Sequence, residues 1–298
     1  MQGRAHGCAL TIGTYDGLHL GHQALIARLH EHAVRIQRAA VLLTFEPTPR
    51  EYLSPQDPPA RLTSLRERWR ILAPLSLDYF WVLRFGEALR NLSAEAFAEL
   101  MVREVGPAVV VVGHDFRFAR KGEATAQSLL QAGRRLGFDV DVLEPVMLDG
   151  ERISSSGVRG ALADSDFARA QRWLGRPWSM RGRVIAGRRL GTDLGFPTAN
   201  LPLERRRSPV AGIFAVRVAG VAERPCAGVA SLGTRPTVDG SAWLLEVHVF
   251  DFQGDLYGRE IEVEFVAKLR DEERFASLAA LTAQMQRDAG EARRILNA

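Results

Sequence analysis

The apolar pattern of this chain changes character near residue 181, and that change constrains the fold more than any single motif. Before it, β-branched apolar runs stand at CALTIG (8–13), AAVLLTF (39–45), YFWVLRF (79–85), AVVVVG (108–113) and VDVLEP (140–145). Helix-like stretches separate them. Leu25, Ile26, Leu29, Ala33 and Ile36 share one helical face, 93–105 predicts a helix capped by Ser93, and 123–137 predicts another. Continuous apolar strands alternating with helices predict a parallel sheet covered on both faces.

After residue 181 the strand-like runs are separated by Gly, Pro and Asp turns: GRVIAG (182–187), IFAVRVAG (213–220), AGVASLG (227–233), WLLEVHVFDF (243–252) and EIEVEFVAKL (260–269). In EIEVEFV the alternation is strict, with Ile261, Val263 and Phe265 inward, which predicts an antiparallel barrel or sandwich. Phe275, Leu278, Leu281, Met285, Ala289, Ala292 and Ile295 form the apolar stripe of a closing helix. A chain of 298 residues is long enough for two domains. The boundary is expected in 164–182, around Pro177, giving domains 1–175 and 181–298.

Charge and cysteine content narrow the function classes. A net charge of +4 suits an enzyme handling nucleotide phosphates and is too small for wrapping a nucleic acid. No run of about 18 apolar residues predicts a membrane span, and no signal-peptide core precedes the first polar residues. Cys8 and Cys226 lie far apart without metal-binding spacing, so they read as reduced thiols of a cytoplasmic protein. Oligomerisation stays open.

The stretch TYDGLHLGHQ (14–23) follows a predicted strand and precedes a predicted helix. Gly13, Gly17 and Gly21 let backbone N–H groups approach an anion, and a helix N-terminus favours negative charge. His19 and His22 at that place suit hydrogen bonding to phosphate oxygens as charge builds up in phosphoryl or nucleotidyl transfer. A metal site would need further ligands that no nearby Cys/His cluster supplies. Ser154, Ser155 and Ser156 offer hydroxyls ahead of GVRGAL, with Arg159 as a fixed charge, or form an ordinary helix cap beside a solvated Arg. Asp115 suits a ribose, an incoming nucleotide or a cation's water shell, or is a turn residue. Phe116 and Phe118 read equally as ring-stacking or core residues.

In the second half, GRVIAGRRLGTDLGFPTANL (182–201) is glycine-rich around Arg188 and Arg189, and Pro197 stiffens it. Thr198 and Asn200, two apart in an extended segment, share a face. Their oxygens suit Mg²⁺ held against ATP phosphates, or they simply end a hairpin. Glu246, flanked by apolar residues, is either solvent-facing or the carboxylate that kinase chemistry needs. His248 shares its face and reads as ordinary. Arg235 reads as structural or as a nucleotide contact. ERRRSPV (204–210) reads as an exposed, solvated charge run.

These residues carry a resemblance. GTYDGLHLGHQALI resembles the H-x-G-H motif of nucleotidylyltransferases. With LLTFEPTPREYL (42–53), VVGHDFRFARKGEAT (111–125) and RISSSGVRGAL (152–162), it resembles the bacterial bifunctional riboflavin kinase/FMN adenylyltransferase family. LGFPTAN, GVASLGTRPTV (228–238) and FDFQGDLYG resemble the riboflavin kinase half, and the match runs along essentially the whole chain.

The resemblance implies a doubly wound, Rossmann-like α/β nucleotidylyltransferase domain, then a small antiparallel β-barrel with a C-terminal helix. It implies riboflavin phosphorylation to FMN and FMN adenylylation to FAD, with ATP as co-substrate and Mg²⁺ as cofactor. The partners are then small molecules, without nucleic acid or membrane. By the same resemblance, Gly13, Asp16, Gly17, His19, Gly21, His22, Ser154, Ser155, Ser156 and Arg159 bind ATP, and Asp115 and Phe116 bind FMN. Gly187, Gly191, Gly195, Phe196, Pro197, Thr198, Asn200 and Glu246 form the kinase site. Glu246 is its base, Thr198 and Asn200 are its Mg²⁺ ligands, and His19 and His22 are the catalytic pair of the other half.

Three positions depart from the pattern: Thr14 for Asn, Thr48 for His and Thr192 for Arg. The first two leave open a second reading, a riboflavin kinase whose adenylyltransferase half is weakened or inactive. Family members often carry more residues before the first strand, so an upstream start or a trimmed segment is also allowed.

Overall fold

The computed structural model describes residues 7–187, 194–237 and 240–298. They form two compact units, one of residues up to Pro59 with Leu65–Ser155, the other of Ala60–Ser64 with Ser156–Ala298.

The first unit begins β1 (Cys8–Ile12), α1 (Leu20–Ile36), β2 (Ala40–Glu46), α2 (Pro49–Leu53), α3 (Leu65–Leu72) and β3 (Tyr79–Arg84). It continues through α4 (Glu87–Arg90), α5 (Ala94–Glu104), β4 (Pro107–Gly113), β5 (Arg117–Phe118), β6 (Ala124–Thr125), α6 (Ala126–Leu136) and β7 (Asp139–Leu143), then β8 (Met147–Leu148) and β9 (Glu151–Arg152). Five strands form one parallel sheet in the order β3-β2-β1-β4-β7. Each apolar run of the first half thus becomes a sheet strand to within two residues. Leu10, Leu43, Val110 and Val112 are fully buried, as strands covered on both faces require. Ser93 caps α5 by accepting from the Ala96 N–H at 3.1 Å. The strand order reverses direction at β1, whose neighbours are β2 and β4, so the crevice beyond the C-terminal ends of β1 and β4 is the switch point of the sheet.

The second unit contains α7 (Ser155–Ala163, beginning at the unit boundary), α8 (Phe167–Leu174), β10 (Ser179–Arg183), β11 (Ala199–Pro202), β12 (Gly212–Ala219), β13 (Cys226–Thr237), β14 (Gly240–Val249), β15 (Glu260–Arg270) and α9 (Leu278–Leu296). Six strands make an antiparallel sheet in the order β10-β15-β12-β13-β14-β11. A bridge between Ile185 and Asn200 brings its two ends together, so the sheet is a nearly closed barrel. Ile261, Val263 and Phe265 point inward, at most 2% exposed. Phe167 of α8 packs on Phe214 and Phe265 of the barrel.

Three expectations need correction. The strand expected at 182–187 forms at Ser179–Arg183, because its pairing with β15 runs Ser179↔Glu264 to Arg183↔Glu260. The closing helix starts at Leu278, so Phe275 precedes it and Leu278 is 61% exposed; burial is concentrated at Asp288, Ala292 and Leu296. ERRRSPV is not wholly solvated: Arg205 is buried and donates to the carbonyls of Arg61 and Leu62, both at 3.0 Å.

Candidate active sites

In the first unit, the loop from Gly13 to His19 leaves β1 at the switch point and runs into α1. Its backbone turns sharply, with positive φ at Tyr15, Gly17 and Leu18. Tyr15 is buried, and its hydroxyl lies 2.6 Å from Thr11 Oγ1. Burial pushes the Tyr15 phenol up, against the opposing hydrogen bond from Thr11, and keeps it neutral. Asp16 and His19 are also buried.

His19 is the N-cap of α1, and its Nδ1 accepts the His22 backbone N–H at 3.3 Å. With Nδ1 accepting, Nε2 is the ring nitrogen left to donate. The His19 and His22 rings stack at 3.7 Å with 18° between planes. A Cβ at Gly21 would lie 3.1 Å from the His19 ring, so glycine there lets the imidazole lie against the first turn of the helix. Ser155 donates to the Asp16 carbonyl at 2.8 Å, bringing the serine segment to this loop. Ser154 precedes α7 and Ser155 opens it.

Sequence reasoning missed Arg68. It is fully buried on α3 and donates to the Thr14 carbonyl at 2.9 Å, to Thr44 Oγ1 at 3.1 Å and to Glu46 at 2.6 Å. Arg68 thus ties the start of the H-x-G-H loop to β2. The contact uses the backbone of Thr14, so it does not depend on which side chain stands at that position. Thr48 has a definite role as well. It caps α2 in a reciprocal box, its N–H donating to Glu51 Oε2 at 3.1 Å while its hydroxyl oxygen accepts from the Glu51 N–H at 3.4 Å. The T-x-x-E spacing in TPRE was the signal for it.

Asp115 lies in the turn after β4 and pairs with Arg152. Phe116 stacks on Phe118 at 5.3 Å, and Phe118 is a buried core residue against Phe97. A separate cleft of about 650 Å³ is lined by Pro47, Tyr52, Arg84, Phe85 and Leu89. Tyr52 and Phe85 meet there edge-to-face at 5.5 Å.

In the second unit, Ser156 falls in the first turn of α7 and Arg159 donates from Nε to the Ala60 carbonyl at 2.6 Å. The barrel carries a cleft of about 980 Å³, whose walls include Gly187, Phe196, Thr198, Asn200 and Glu246. Pairing register explains the grouping: Glu246 on β14 stands opposite Asn200 on β11 and Ser231 on β13. Asn200 is buried and its amide donates to the Thr198 carbonyl at 3.3 Å. A Cβ at Gly187 would lie 2.3 Å from the Asn200 amide nitrogen, so any side chain there would displace the Asn200 amide. Gly195 has φ of 83° and precedes Phe196 and Pro197. His248 also lines the cleft and has a role, its Nδ1 bonding the Pro197 carbonyl at 2.9 Å. Gly191, Thr192, Arg188 and Arg189 lie outside the described residues.

Arg235 sits between two carboxylates, with Nη2 2.7 Å from Glu246 and Nη1 3.2 Å from Glu272. Burial alone would lower the Arg235 pKa, but the hydrogen bond and charge of Glu246, joined by Glu272, raise it above its ordinary value. Among the described residues there is no group of three His, Cys, Asp or Glu side chains placed to hold a metal. The oxygens of Thr198 and Asn200 are hard, neutral donors, which fits a Mg²⁺ ion bound mainly through substrate phosphates and water. No helix among the described residues is long and apolar enough to cross a membrane.

Comparison with known proteins identifies the two halves. Residues 1–157 match the FAD synthetase family model and residues 174–296 the riboflavin kinase model. The bifunctional riboflavin kinase/FMN adenylyltransferase of Escherichia coli K12 is 45% identical over 96% of this chain and 92% of its own length. The corresponding Haemophilus influenzae protein is 39% identical over 98% of this chain and 95% of its own. A crystal structure described as a macrolide-efflux protein from Streptococcus pneumoniae aligns with TM-score 0.79 at 29% identity, covering 97% of this chain and 94% of that one. The efflux in that description is a statement about that protein; the likeness is one of architecture. On the strength of both matched halves and of relatives aligned nearly end to end, the chain belongs to the bifunctional riboflavin kinase/FMN adenylyltransferase family.

Proposed function

We propose that this chain converts riboflavin to FMN in the barrel and FMN to FAD in the α/β unit, each step at the expense of ATP. The observation that carries the reading is the register of Asn200, Glu246 and Ser231, which gathers the kinase residues into one cleft. It is supported by a complete H-x-G-H loop at the switch point of the other sheet.

In the barrel, Glu246 takes the proton of the ribityl 5′-hydroxyl as that oxygen attacks the γ-phosphorus, and ADP leaves. Thr198 and Asn200 would hold Mg²⁺–ATP, with Gly187, Gly195, Phe196 and Pro197 shaping the loop around it. Mg²⁺ when bound supplies charge neutralisation at the phosphates. In the α/β unit, the FMN phosphate attacks the α-phosphorus in line and pyrophosphate leaves. His19 donates from Nε2 and, with His22, stabilises the charge that builds up there. Gly13, Asp16, Gly17 and Gly21 shape this loop around ATP, while Ser154, Ser155, Ser156 and Arg159 bind its phosphates. Asp115 and Phe116 contact FMN, and the apolar Tyr52/Phe85 cleft suits a flat flavin ring. Residues 1–175 serve adenylylation and residues 181–298 phosphorylation. The protein acts in the cytoplasm on small molecules, without nucleic acid, and oligomerisation is compatible with both steps.

The test is product analysis after incubation with riboflavin, ATP and Mg²⁺. FMN and FAD are both expected, and FMN alone would favour the kinase with an inactive adenylyltransferase half. Glu246→Ala is expected to abolish FMN formation while FAD still forms from supplied FMN. Survival of FMN formation in that variant would show the kinase base to be another residue.

A further inference from the structure

The segment after β15 reaches back to the proposed kinase base through Glu272. Three contacts seat this side chain. Ser231 donates to Glu272 Oε1 at 3.2 Å, Arg235 Nη1 donates to the same oxygen at 3.2 Å, and the carboxylate lies over Gly233, where a Cβ would come within 2.1 Å of Oε2. The guanidinium of Arg235 is consequently split, one nitrogen on Glu272 and the other on Glu246 Oε2. Glu246 Oε1 has no hydrogen-bond partner among the described residues, and Glu246 lines the cleft.

An Arg facing a single carboxylate prefers a two-pronged pairing that occupies both oxygens. A base clamped in that way has both oxygens engaged by a cation, which makes it a poorer acceptor for the substrate proton. We propose that Glu272 is a positioning residue for riboflavin phosphorylation: by drawing one arm of Arg235 to itself, it holds Arg235 to a one-pronged contact and keeps Glu246 Oε1 open to the substrate hydroxyl. This rests on Glu246 being the kinase base. Glu272 touches no reacting atom; it acts through Arg235.

The test uses the full chain. Glu272→Gln keeps the size and a polar partner for Ser231 but loses the charge that draws Arg235. Its kcat for FMN formation is expected to fall roughly tenfold, with KM for riboflavin and ATP within about twofold, because the contact bears on proton transfer and not on binding. Adding Arg235→Lys is the decisive step. Lysine is a point donor without the planar fork, so it cannot clamp both oxygens. The double variant is expected to regain most of the lost kcat, whereas independent structural damage would multiply the two losses. An unchanged kcat in Glu272→Gln, a loss confined to KM, or a double variant slower than the single one would overturn the proposal. FMN formation surviving in Glu246→Ala would instead remove the kinase-base reading beneath it.

Discussion

At the scale of single residues, the first site depends on a side chain that never meets the substrate in the proposed mechanism. Arg68 is fully buried and bonds the Thr14 carbonyl, the Thr44 hydroxyl and the Glu46 carboxylate. Arg68→Met removes one charged donor from all three groups. Removing one partner of a buried ion pair costs about 3–5 kcal/mol, and because Glu46 keeps some water access the expected cost here is roughly 2–3 kcal/mol. Urea unfolding should show that loss, and FAD formation from supplied FMN should fall while FMN formation holds. The histidines were legible because glycines and a strand–helix junction surround them. Arg68 was not, because a charged residue in LRERWRIL looks like solvent-facing helix until its partners on other strands are known.

At the scale of elements, periodicity located the strands of both sheets, but not what binds the irregular segments. Ala60–Ser64 belongs with the barrel unit although it lies between α2 and α3 in sequence. It is pinned by side chains reaching its carbonyls: Arg159 to Ala60, Arg205 to Arg61 and Leu62, and the Trp178 indole to Leu62 at 3.2 Å. Arg205→Met would leave the Arg61 carbonyl without that donor, at a cost of roughly 1–3 kcal/mol. The expected result is earlier thermal unfolding of the kinase unit, seen as lost FMN formation on heating before FAD formation is lost. No local pattern in ERRRSPV separates the buried Arg205 from the exposed Arg206, since the difference lies in a segment over 140 residues away.

At the scale of the whole molecule, each unit carries carboxylates held below their ordinary range. Burial would raise Asp141, but hydrogen bonds from His32 and Arg28 outweigh it and hold the pKa lower. Burial would likewise raise Glu262, and the Ser179 and Arg181 contacts outweigh it. Groups with depressed folded pKa values contribute stability that is fully present above the ordinary carboxylate range and is lost as pH falls through the lower folded values. Acid should therefore destabilise both units. Asp141→Asn should lower stability at neutral pH and flatten the acid limb of the first unit's unfolding profile, followed by circular dichroism against pH. An unchanged acid limb would show that Asp141 contributes nothing to it.

The fold class of both halves and the placing of the glycines and histidines at a strand–helix junction are legible along the chain. Those features follow from period, backbone freedom and chain direction, which are properties of neighbours along the chain. Folding is what reveals that Glu246 meets Asn200 and Arg235, that Arg68 anchors the H-x-G-H loop, and that Thr48 caps a helix. The first two depend on strand register and on burial that pairs charges far apart in sequence. No pattern in a single segment encodes which distant segment will neutralise it.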